Sequence, residues 1–490
     1  MLRACLAALL ALAALPGFAA SDPTELVLTD CRISAGPGYP GLKARCGRLT
    51  RPLDPAAPES PAIELAVAVV PALSLEPAPT PLVPIAGGPG QSTIEFFAAY
   101  AGAFEAIRRN RDIVLLDQRG TGDSAALDCP FDEAQGELEF TPERGREEAR
   151  RCLNQLPHDP RFFTTSVAVT DLEALREALR VPAFDLYGIS YGTRVAQHYA
   201  RQYPETTRTV ILDGVVPPQV ALGPAIAIHA QGALDRIFGR CATSAGCNAR
   251  FPGIAARFAG LKRRLADEPV TVELPHPVSA RPETVSFGAA ELAGALRMLS
   301  YHPSTVALMP LLVDEAWAGN YRPIAAQYLM TSRSIAEALS IGMHNAVVCT
   351  EDAPFFAHEN VTREMLEATY IGPLQLEALQ AMCAVWPEGV RDPTLRLPLA
   401  TDTPVLLLSG DADPITPPEF AELAAVGMTR HRHLVGEHQG HGQLTRTCIP
   451  EAMAKFVETA SFDGIEEVRT CMKERQFAMP FFLDFTGPAP

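Results

Sequence analysis

"DLYGISYGTR", residues 185–194, is the stretch that decides the fold of this chain. An apolar run ends there on the pattern G-x-S-x-G, with Ser190 between Gly188 and Gly192, and a helix-like pattern follows. A serine at such a strand-to-helix turn has its hydroxyl exposed above the sheet, where it can act as a nucleophile. Flanking glycines let the turn close without side-chain clashes. We therefore predict a strand, a sharp turn and a helix, with Ser190 on the turn.

Short apolar or β-branched runs predict further strands on both sides of this stretch. The predicted strands are residues 63–70, 82–86, 112–117, 184–189, 209–213 and 404–409. Helical periodicity separates some of them, and residues 170–180 are predicted as a helix capped by Thr170. Strands that alternate with helices, and that read as nearly continuous apolar runs, predict a mainly parallel, doubly wound sheet covered on both faces.

The short apolar runs that predict strands stop after the fifth of these strands. From residue 218 to residue 400 the chain shows helix-like stretches with interspersed prolines. An insertion at a loop leaves the pairing of the sheet intact. We therefore predict an α/β fold in which residues 20–217 and 401–490 form the core and residues 218–400 form an inserted, mostly helical cap.

Composition limits the classes of partner. The 490 residues are 47% hydrophobic, enough for a large core, and carry 41 Lys and Arg against 57 Asp and Glu, a formal net charge of -16. The chain has no basic run, which argues against nucleic acids and anionic membrane surfaces as partners. A neutral or cationic substrate fits this charge better. We expect a monomer.

The first residues predict a signal peptide. Arg3 precedes an apolar stretch at residues 4–15, and small residues follow at Gly17 and Ala19, which predicts a signal peptide of residues 1–19. A membrane helix needs roughly 20 apolar residues, so the stretch is too short to span a bilayer. Cys5 lies before the apolar core and not after it, which argues against lipid attachment. The chain is therefore expected in a periplasm or outside the cell.

The cysteines predict disulfides. Of the 11 cysteines, only Cys5 lies in the signal peptide, and an even number in an exported chain indicates bridges. Their clustering favours pairing of neighbours: 31 with 46, 129 with 152, 241 with 247, 349 with 383, and 448 with 471. No C-x-x-C or H-x-x-x-H pair occurs, so we expect no metal site.

A serine nucleophile needs a base, and the base needs an acid that orients it. In α/β hydrolases these follow in the order acid, then histidine. After the strand at 404–409, "GDADPITP" offers Asp411 and Asp413; the acid is expected before the proline turn, which favours Asp413. Further on, "HQGHGQ" offers His438 and His441, and the glycines that flank His441 favour it as the base.

Acyl transfer also needs N–H groups directed at the developing oxyanion. The strand-to-helix turn supplies the main-chain N–H of Tyr191. A second donor is expected after an earlier strand, where "GGPGQS" begins at Gly87, and Gly88 is the predicted donor. This run is not a phosphate loop, because it lacks the G-K-[ST] ending.

Five motifs in this order, "GGPGQS", "DQRGTGDS", "GISYGTR", "GDADPITP" and "GHG", resemble the prolyl/tripeptidyl aminopeptidase branch of the α/β-hydrolase fold. The resemblance covers residues 60–217 and 400–475, and "DQRG" separates this branch from most lipases and esterases. Ala86 is a departure, because many members have His there. The chain is more similar to exported members with a long cap and several cysteines than to the small intracellular proline iminopeptidases.

The resemblance implies a serine peptidase without a cofactor that releases proline or short peptides from the free N-terminus of peptide substrates. It also implies that acidic side chains of the cap hold the substrate's ammonium group. Residues 340–395 contain eight acids against two arginines. Glu351 and Asp352, beside Cys349, are the candidates. The alternative is an exported esterase or lipase that uses the same triad of Ser190, Asp413 and His441. A binding protein on this scaffold would be expected to have lost part of that triad.

Overall fold

The computed structural model describes residues 26–36, 38–129, 141–277 and 279–488, without the side chains of residues 333–336 and 487–488. The predicted signal peptide at residues 1–19, and Cys5 with it, lies outside the described residues. No helix among the described residues is long and apolar enough to cross a membrane.

The strands of the described chain form one large sheet and two small ones. In chain order they are β1 (Thr29–Ile33), β2 (Leu42–Pro52), β3 (Ala62–Val70), β4 (Leu82–Ile85), β5 (Ile113–Leu116), β6 (Phe184–Ile189), β7 (Thr207–Asp213), β8 (Val270–Pro275), β9 (Pro282–Phe287), β10 (Val405–Gly410), β11 (His431–Gly436), β12 (Phe482–Asp484) and β13 (Gly487–Pro488). The large sheet has nine strands in the order β1-β2-β3-β5-β4-β6-β7-β10-β11. Neighbours from β5 to β11 pair in parallel, and β1, β2, β3 and β5 pair antiparallel.

Helices connect these strands. In chain order they are α1 (Thr93–Tyr100), α2 (Glu105–Arg108), α3 (Pro142–Leu153), α4 (Thr165–Leu179), α5 (Tyr191–Gln202), α6 (Ile226–Thr243), α7 (Ala245–Arg250), α8 (Ile254–Asp267), α9 (Ala289–Leu299), α10 (Pro303–Val306), α11 (Met309–Trp317), α12 (Arg322–Ala338), α13 (Ile341–Val347), α14 (Arg363–Glu367), α15 (Leu374–Cys383), α16 (Pro418–Ala424), α17 (Ile449–Thr459) and α18 (Ile465–Arg475). Apolar clusters cover both faces of the sheet. The mainly parallel, doubly wound α/β fold predicted from the sequence is confirmed.

All six predicted strands are present, with ends shifted by at most two residues. Of the nine strands in the large sheet, the sequence analysis did not predict β1, β2 and β11, because their side chains are mostly exposed or half-buried and show no apolar run. The predicted start of the helix at Thr170 is wrong. Helix α4 begins at Thr165, and the Thr170 hydroxyl donates to the carbonyl of Val167 inside the helix (2.8 Å).

The chain between β7 and β10 is mostly helical, with α6 to α15 and the β8–β9 hairpin. It buries a separate apolar cluster. The cluster also includes Phe481, from beyond the second part of the sheet, and the N–H of Phe482 donates to the carbonyl of Ala307 (3.0 Å). The C-terminal segment around β12, which the sequence analysis assigned to the core, therefore packs on this insertion.

Five disulfides join neighbouring cysteines, and all five predicted pairs are confirmed. They are Cys31–Cys46, Cys129–Cys152, Cys241–Cys247, Cys349–Cys383 and Cys448–Cys471. Bridges of this kind persist in oxidising compartments.

Replacing Cys349 and Cys383 by alanine is expected to lower the free energy of unfolding by about 4 kcal/mol, because this bridge spans 34 residues and long closed loops restrict the unfolded chain most. The matched control is Cys241 and Cys247, separated by 6 residues, whose removal is expected to cost about 2 kcal/mol. Urea unfolding followed by circular dichroism measures both. An equal or larger loss for the shorter bridge would contradict this account.

Candidate active site

Ser190 occupies a strained turn between β6 and α5. Its backbone has φ 54° and ψ -125°, a region that residues with a Cβ rarely adopt and that concentrates at functional sites. The main-chain N–H of Ser190 donates to the carbonyl of Asp213 at the end of β7 (2.8 Å). A Cβ on Gly192 would collide with the carbonyl oxygens of Ile85 and Ala86 on the neighbouring strand end. Close backbone packing therefore requires glycine at position 192.

The predicted acid and base are in contact. Nδ1 of His441 lies 2.8 Å from Oδ2 of Asp413. Asp413 is buried and also accepts bonds from the main-chain N–H groups of Ile415 and Thr416 (both 2.9 Å) and from the Thr416 hydroxyl (2.8 Å). The loop after β10 therefore holds the Asp413 carboxylate in place independently of its bond to His441.

The alternatives that the sequence offered lie elsewhere. His438 is 44% exposed in its side chain and faces Glu437, with Nε2 and Oε1 3.7 Å apart. Asp411 is half-buried, and its main-chain N–H donates to Gly436 (3.1 Å). The Asp411 carboxylate accepts from the main-chain N–H of His438, and neither residue is hydrogen-bonded to Asp413 or His441 among the described contacts.

His441 lies beside the serine turn. A Cβ placed on Gly214, which directly follows Asp213, would lie 3.0 Å from Cε1 of His441. A Cβ placed on Gly442 would lie 3.1 Å from Cδ1 of Ile189, the residue before Ser190. His441 and Gly442 therefore both pack against residues next to the turn that carries Ser190.

Two sets of main-chain bonds hold the loop that carries His441. Its own N–H donates to the carbonyl of Tyr301 in the insertion (2.8 Å), and the Tyr301 ring packs edge-on against the imidazole with centroids 5.3 Å apart. On the other side, the Asp213 carboxylate accepts the N–H groups of Gln443 (2.7 and 2.9 Å) and Leu444 (2.9 Å). The insertion and the sheet therefore position this histidine jointly.

The glycine run after β4, which begins at Gly87, also contacts the turn that carries Ser190. A Cβ placed on Gly87 would lie 3.0 Å from Cβ and 3.6 Å from Oγ of Ser190. One placed on Gly88, the predicted oxyanion donor, would instead lie 3.0 Å from Leu339 of the insertion. Tyr191 begins α5, so its N–H is at the helix N-terminus beside Ser190, and its buried hydroxyl accepts from Gln118 (3.0 Å).

Charges around His441 favour its protonated form. Burial by itself would lower the pKa of His441, but the charge and hydrogen bond of Asp413, together with the charge of Asp213, raise it above its ordinary value. Burial raises the pKa of the Asp213 carboxyl to about 6, against the bonds that it accepts from Gln443, Leu444 and the Tyr187 hydroxyl. Two carboxylates thus act on one imidazole.

Glu351 and Asp352, the predicted ammonium ligands, are fully buried and already have partners. Asp352 accepts two bonds from Arg194 (2.8 and 3.0 Å), and Glu351 accepts from the N–H and the hydroxyl of Thr165 (2.7 and 2.8 Å). Burial raises the pKa of Glu351 to about 7. Cys349 is bridged as predicted, but neither carboxylate faces open space, so an ammonium could bind there only by displacing these partners.

A cavity of about 580 Å³ opens on the far side of the glycine run. Its walls include Gly90, Asp117 and Leu339, but neither Ser190 nor His441. It therefore adjoins the candidate site without being lined by Ser190. Within the described residues, His, Cys, Asp and Glu side chains form no group of three or more that could hold a metal ion.

Three residues of this arrangement were missed by the sequence analysis. Asp213 ends a predicted strand at the carboxyl edge of the sheet, where ligands and catalytic groups collect, so its position was a usable signal. Gly87 stands in the glycine run that was already singled out. Tyr301 carries no sequence signal, because it reaches the site only through the packing of the insertion.

Replacing Asp213 by Asn is expected to lower the pKa of His441, because it removes a negative charge that stabilises the imidazolium. NMR titration of the protein labelled with ¹⁵N-histidine measures this pKa. Asp411→Asn is the matched control and is expected to leave it in place. An unchanged His441 pKa in Asp213→Asn would show that the Asp213 charge does not act on the imidazole.

Comparisons with known proteins agree with this architecture. Residues 80–266 match the family described as alpha/beta hydrolase fold, and residues 368–471 match the family described as TAP-like protein. The serine protease Hip1 of Mycobacterium tuberculosis is 26% identical over 411 residues, which cover 76% of this chain and 77% of that protein. The tripeptidyl aminopeptidase of Streptomyces coelicolor is 28% identical over 195 residues, 36% of this chain and 35% of that one.

Among solved structures, the proline iminopeptidase of Mycobacterium smegmatis is similar at 16% identity with a TM-score of 0.37, over 87% of this chain and 99% of that chain. The two family matches and the curated relatives confirm the resemblance found in the sequence. The chain is therefore an α/β-hydrolase-fold serine hydrolase of the peptidase type, with a TAP-like C-terminal part.

Proposed function

We propose that this hydrolase is an exported aminopeptidase that releases N-terminal residues, proline or short peptides, through an acyl-enzyme. One observation carries the mechanism: the 2.8 Å bond between His441 and Asp413 lies beside the strained turn of Ser190. The names of the relatives, a serine protease and a tripeptidyl aminopeptidase, favour peptides over simple esters. Five disulfides support export.

In the first half-reaction, His441 takes the proton of the Ser190 hydroxyl, and Oγ bonds to the carbonyl carbon of the scissile peptide. Asp413 holds the imidazole in the tautomer whose Nε2 is free to accept that proton. The N–H groups of Gly88 and Tyr191 stabilise the oxyanion, and each such donor is worth roughly 3 kcal/mol of the barrier. The C–N bond then breaks, and His441 gives its proton to the leaving amine.

In the second half-reaction, His441 takes a proton from water, and the resulting hydroxide bonds to the acyl carbon. The ester bond to Ser190 breaks, Oγ recovers the proton, and the carboxylic acid leaves. Gly87 lies close to Ser190, and because it has no Cβ it leaves space beside the Ser190 hydroxyl for the acyl carbonyl. This sequence of steps uses only side chains and main-chain N–H groups of the chain.

Replacing Ser190 by Ala is expected to reduce kcat by about 10⁶-fold without changing the fold, because the acyl bond cannot form. His441→Ala is expected to have a similar effect. His438→Ala is the matched control and is expected to retain activity. Hydrolysis of p-nitrophenyl acetate measures turnover, and circular dichroism checks the fold. Full activity in Ser190→Ala, or loss in His438→Ala alone, would refute the triad.

A panel of one-, two- and three-residue p-nitroanilides, each with a free or an acetylated N-terminus, tests the peptidase assignment. An aminopeptidase is expected to cleave the free forms at least about tenfold faster in kcat/KM than the acetylated forms, because loss of a charged hydrogen-bonding group costs on the order of 1.4 kcal/mol or more. Release of p-nitrophenol from short-chain esters together with no cleavage of any nitroanilide would instead favour an esterase.

A further inference from the structure

A chain of buried hydrogen bonds runs from the insertion to the residue that follows Ser190. Glu351 accepts a bond from the Thr165 hydroxyl (2.8 Å), and the hydroxyl oxygens of Thr165 and Tyr191 lie 2.7 Å apart. The Tyr191 hydroxyl in turn accepts from the side-chain amide of Gln118 (3.0 Å). Glu351, Thr165 and Tyr191 are each at most 1% exposed. The chain of bonds therefore joins the insertion, the start of α4, the start of α5 and the loop after β5 inside the protein.

The direction of each bond in this chain follows from the number of hydrogens available. A threonine hydroxyl has one hydrogen, and Thr165 gives it to the Glu351 carboxylate. The Tyr191 hydroxyl therefore donates to the oxygen of Thr165, which leaves its own lone pairs for the amide of Gln118. A buried polar network whose members are all bonded fixes one arrangement of those members. The carboxylate at the end of the chain thus sets the orientation of the tyrosine hydroxyl.

Glu351 is itself held firmly at the other end. The main-chain N–H of Thr165 donates to its Oε1 (2.7 Å), and a guanidinium nitrogen of Arg194 lies 3.8 Å from its Oε2. Its neighbour Asp352 accepts two bonds from Arg194 (2.8 and 3.0 Å). Both acids belong to the π-helical turn Val348–Asp352 of the insertion. The insertion therefore holds the first turn of α5 at two places, at Tyr191 through Glu351 and at Arg194 through Asp352.

Tyr191 is the first residue after the strained turn, and its position matters for the reaction. Ser190 has φ 54°, and such a backbone persists only when the surrounding structure holds it. The peptide between Ser190 and Tyr191 carries the N–H that is the proposed oxyanion donor. Such a donor acts only when it lies within about 2.7–3.1 Å of the oxyanion. A fixed Tyr191 side chain therefore fixes the start of α5 and, with it, the direction of this N–H.

The same helix contains a tyrosine with a similar bond farther from the turn. Tyr199 is fully buried, and its hydroxyl donates to the carboxylate of Glu173 on α4 (2.7 Å). It lies about two helical turns beyond Tyr191. If buried hydroxyl bonds between α4 and α5 served stability alone, the two tyrosines would be equivalent. If the bond at the start of the helix positions the N–H, Tyr191 alone of the two affects the reaction.

We propose that Glu351 is a positioning residue which, through the hydroxyls of Thr165 and Tyr191, holds the Tyr191 N–H in place to stabilise the oxyanion. This role differs from the ammonium binding expected from the sequence, because Glu351 acts through other residues and not on the substrate. The proposal rests on the proposed function for the roles of Ser190 and of the Tyr191 N–H. It is the same for a peptide and for an ester substrate.

Tyr191→Phe keeps the ring and removes the hydroxyl. It is expected to lower kcat/KM for p-nitrophenyl acetate on the order of 10-fold, less than the loss of a whole oxyanion donor, because the N–H is displaced and not removed. Glu351→Gln is expected to cause a loss of the same order, since an amide offers one acceptor oxygen where the carboxylate offers two. The double variant is expected to lose no more than the weaker single variant, because both changes break one chain. Tyr199→Phe is the matched control and is expected to stay within about twofold of the wild type.

A second measurement separates positioning from stability. Phenylboronic acid binds serine hydrolases as a tetrahedral adduct, in which boron bonds to the serine Oγ and one boronate oxygen occupies the oxyanion position. In Tyr191→Phe its Ki is expected to rise by about the factor by which kcat/KM falls, because the adduct and the transition state use the same donor. Thr165→Ser, which keeps a hydroxyl, is expected to retain both values, whereas Thr165→Val is expected to lose both. A merely structural role would lower the melting temperature and leave the Ki unchanged.

Three results would overturn the proposal: wild-type kcat/KM and Ki in Tyr191→Phe, equal losses in Tyr199→Phe, or additive losses in the double variant. Circular dichroism checks folding, and if Glu351→Gln does not fold, the pair of tyrosine variants still decides. Ser190→Ala separates this proposal from the proposed function. An inactive Ser190→Ala together with a fully active Tyr191→Phe would overturn the positioning role and leave the triad, whereas a fully active Ser190→Ala would overturn both.

Discussion

Asp213 by itself links the two parts of the candidate site, the turn that carries Ser190 and the loop that carries His441. Its carbonyl accepts the N–H of Ser190, and its carboxylate accepts the N–H groups of Gln443 and Leu444 in the loop that carries His441. A strained turn persists only when its surroundings over-determine it, and a buried carboxylate is tolerated only when it is well bonded. The end of β7 satisfies both conditions. The relative position of Ser190 and His441, the proposed nucleophile and base, therefore depends on this strand end.

The insertion is part of the site and not only a cover over it. The carbonyl of Tyr301 accepts the N–H of His441, and Gly440 packs so closely against that carbonyl that it has no room for a Cβ. Ser340, also from the insertion, donates its N–H to the carbonyl of Gly90 in the glycine run (2.9 Å). A motion that lifted this part of the insertion would break main-chain bonds at both the histidine and the glycine run. The insertion therefore directly holds the histidine loop and the glycine run of the candidate site.

Charge shows how composition differs from electrostatics. The excess of acids in the insertion is real, but Glu351 and Asp352 are buried against Thr165 and Arg194 and present no free charge. A paired buried charge contributes little field at a distance, whereas an unpaired one in a low-dielectric region acts strongly on its neighbours. Counting acids and bases along the chain cannot distinguish these cases.

Much of the fold and the order of the proposed triad follow from the sequence itself. The patterns that predicted them are local: apolar runs for buried parallel strands, glycines on both sides of Ser190, and Asp413 and His441 in loops after late strands. Close packing of the backbone leaves few alternatives to these patterns. Neighbouring cysteines likewise predicted all five bridges. The polar strands β1 and β2 were missed because pairing at the sheet edge, and not side-chain burial, specifies them.

Only the tertiary structure decided the rest. The bonds from Asp213 and Tyr301 to the histidine loop, the contact of Gly87 with Ser190, and the pairing of Arg194 with Asp352 join residues that are far apart in the chain. Such contacts depend on how the insertion packs over the sheet, which no local pattern encodes. The sequence by itself determined which chemical groups the protein carries and on which turns they stand, whereas folding determined which of them remain free to act, because burial and pairing are properties of neighbours in space.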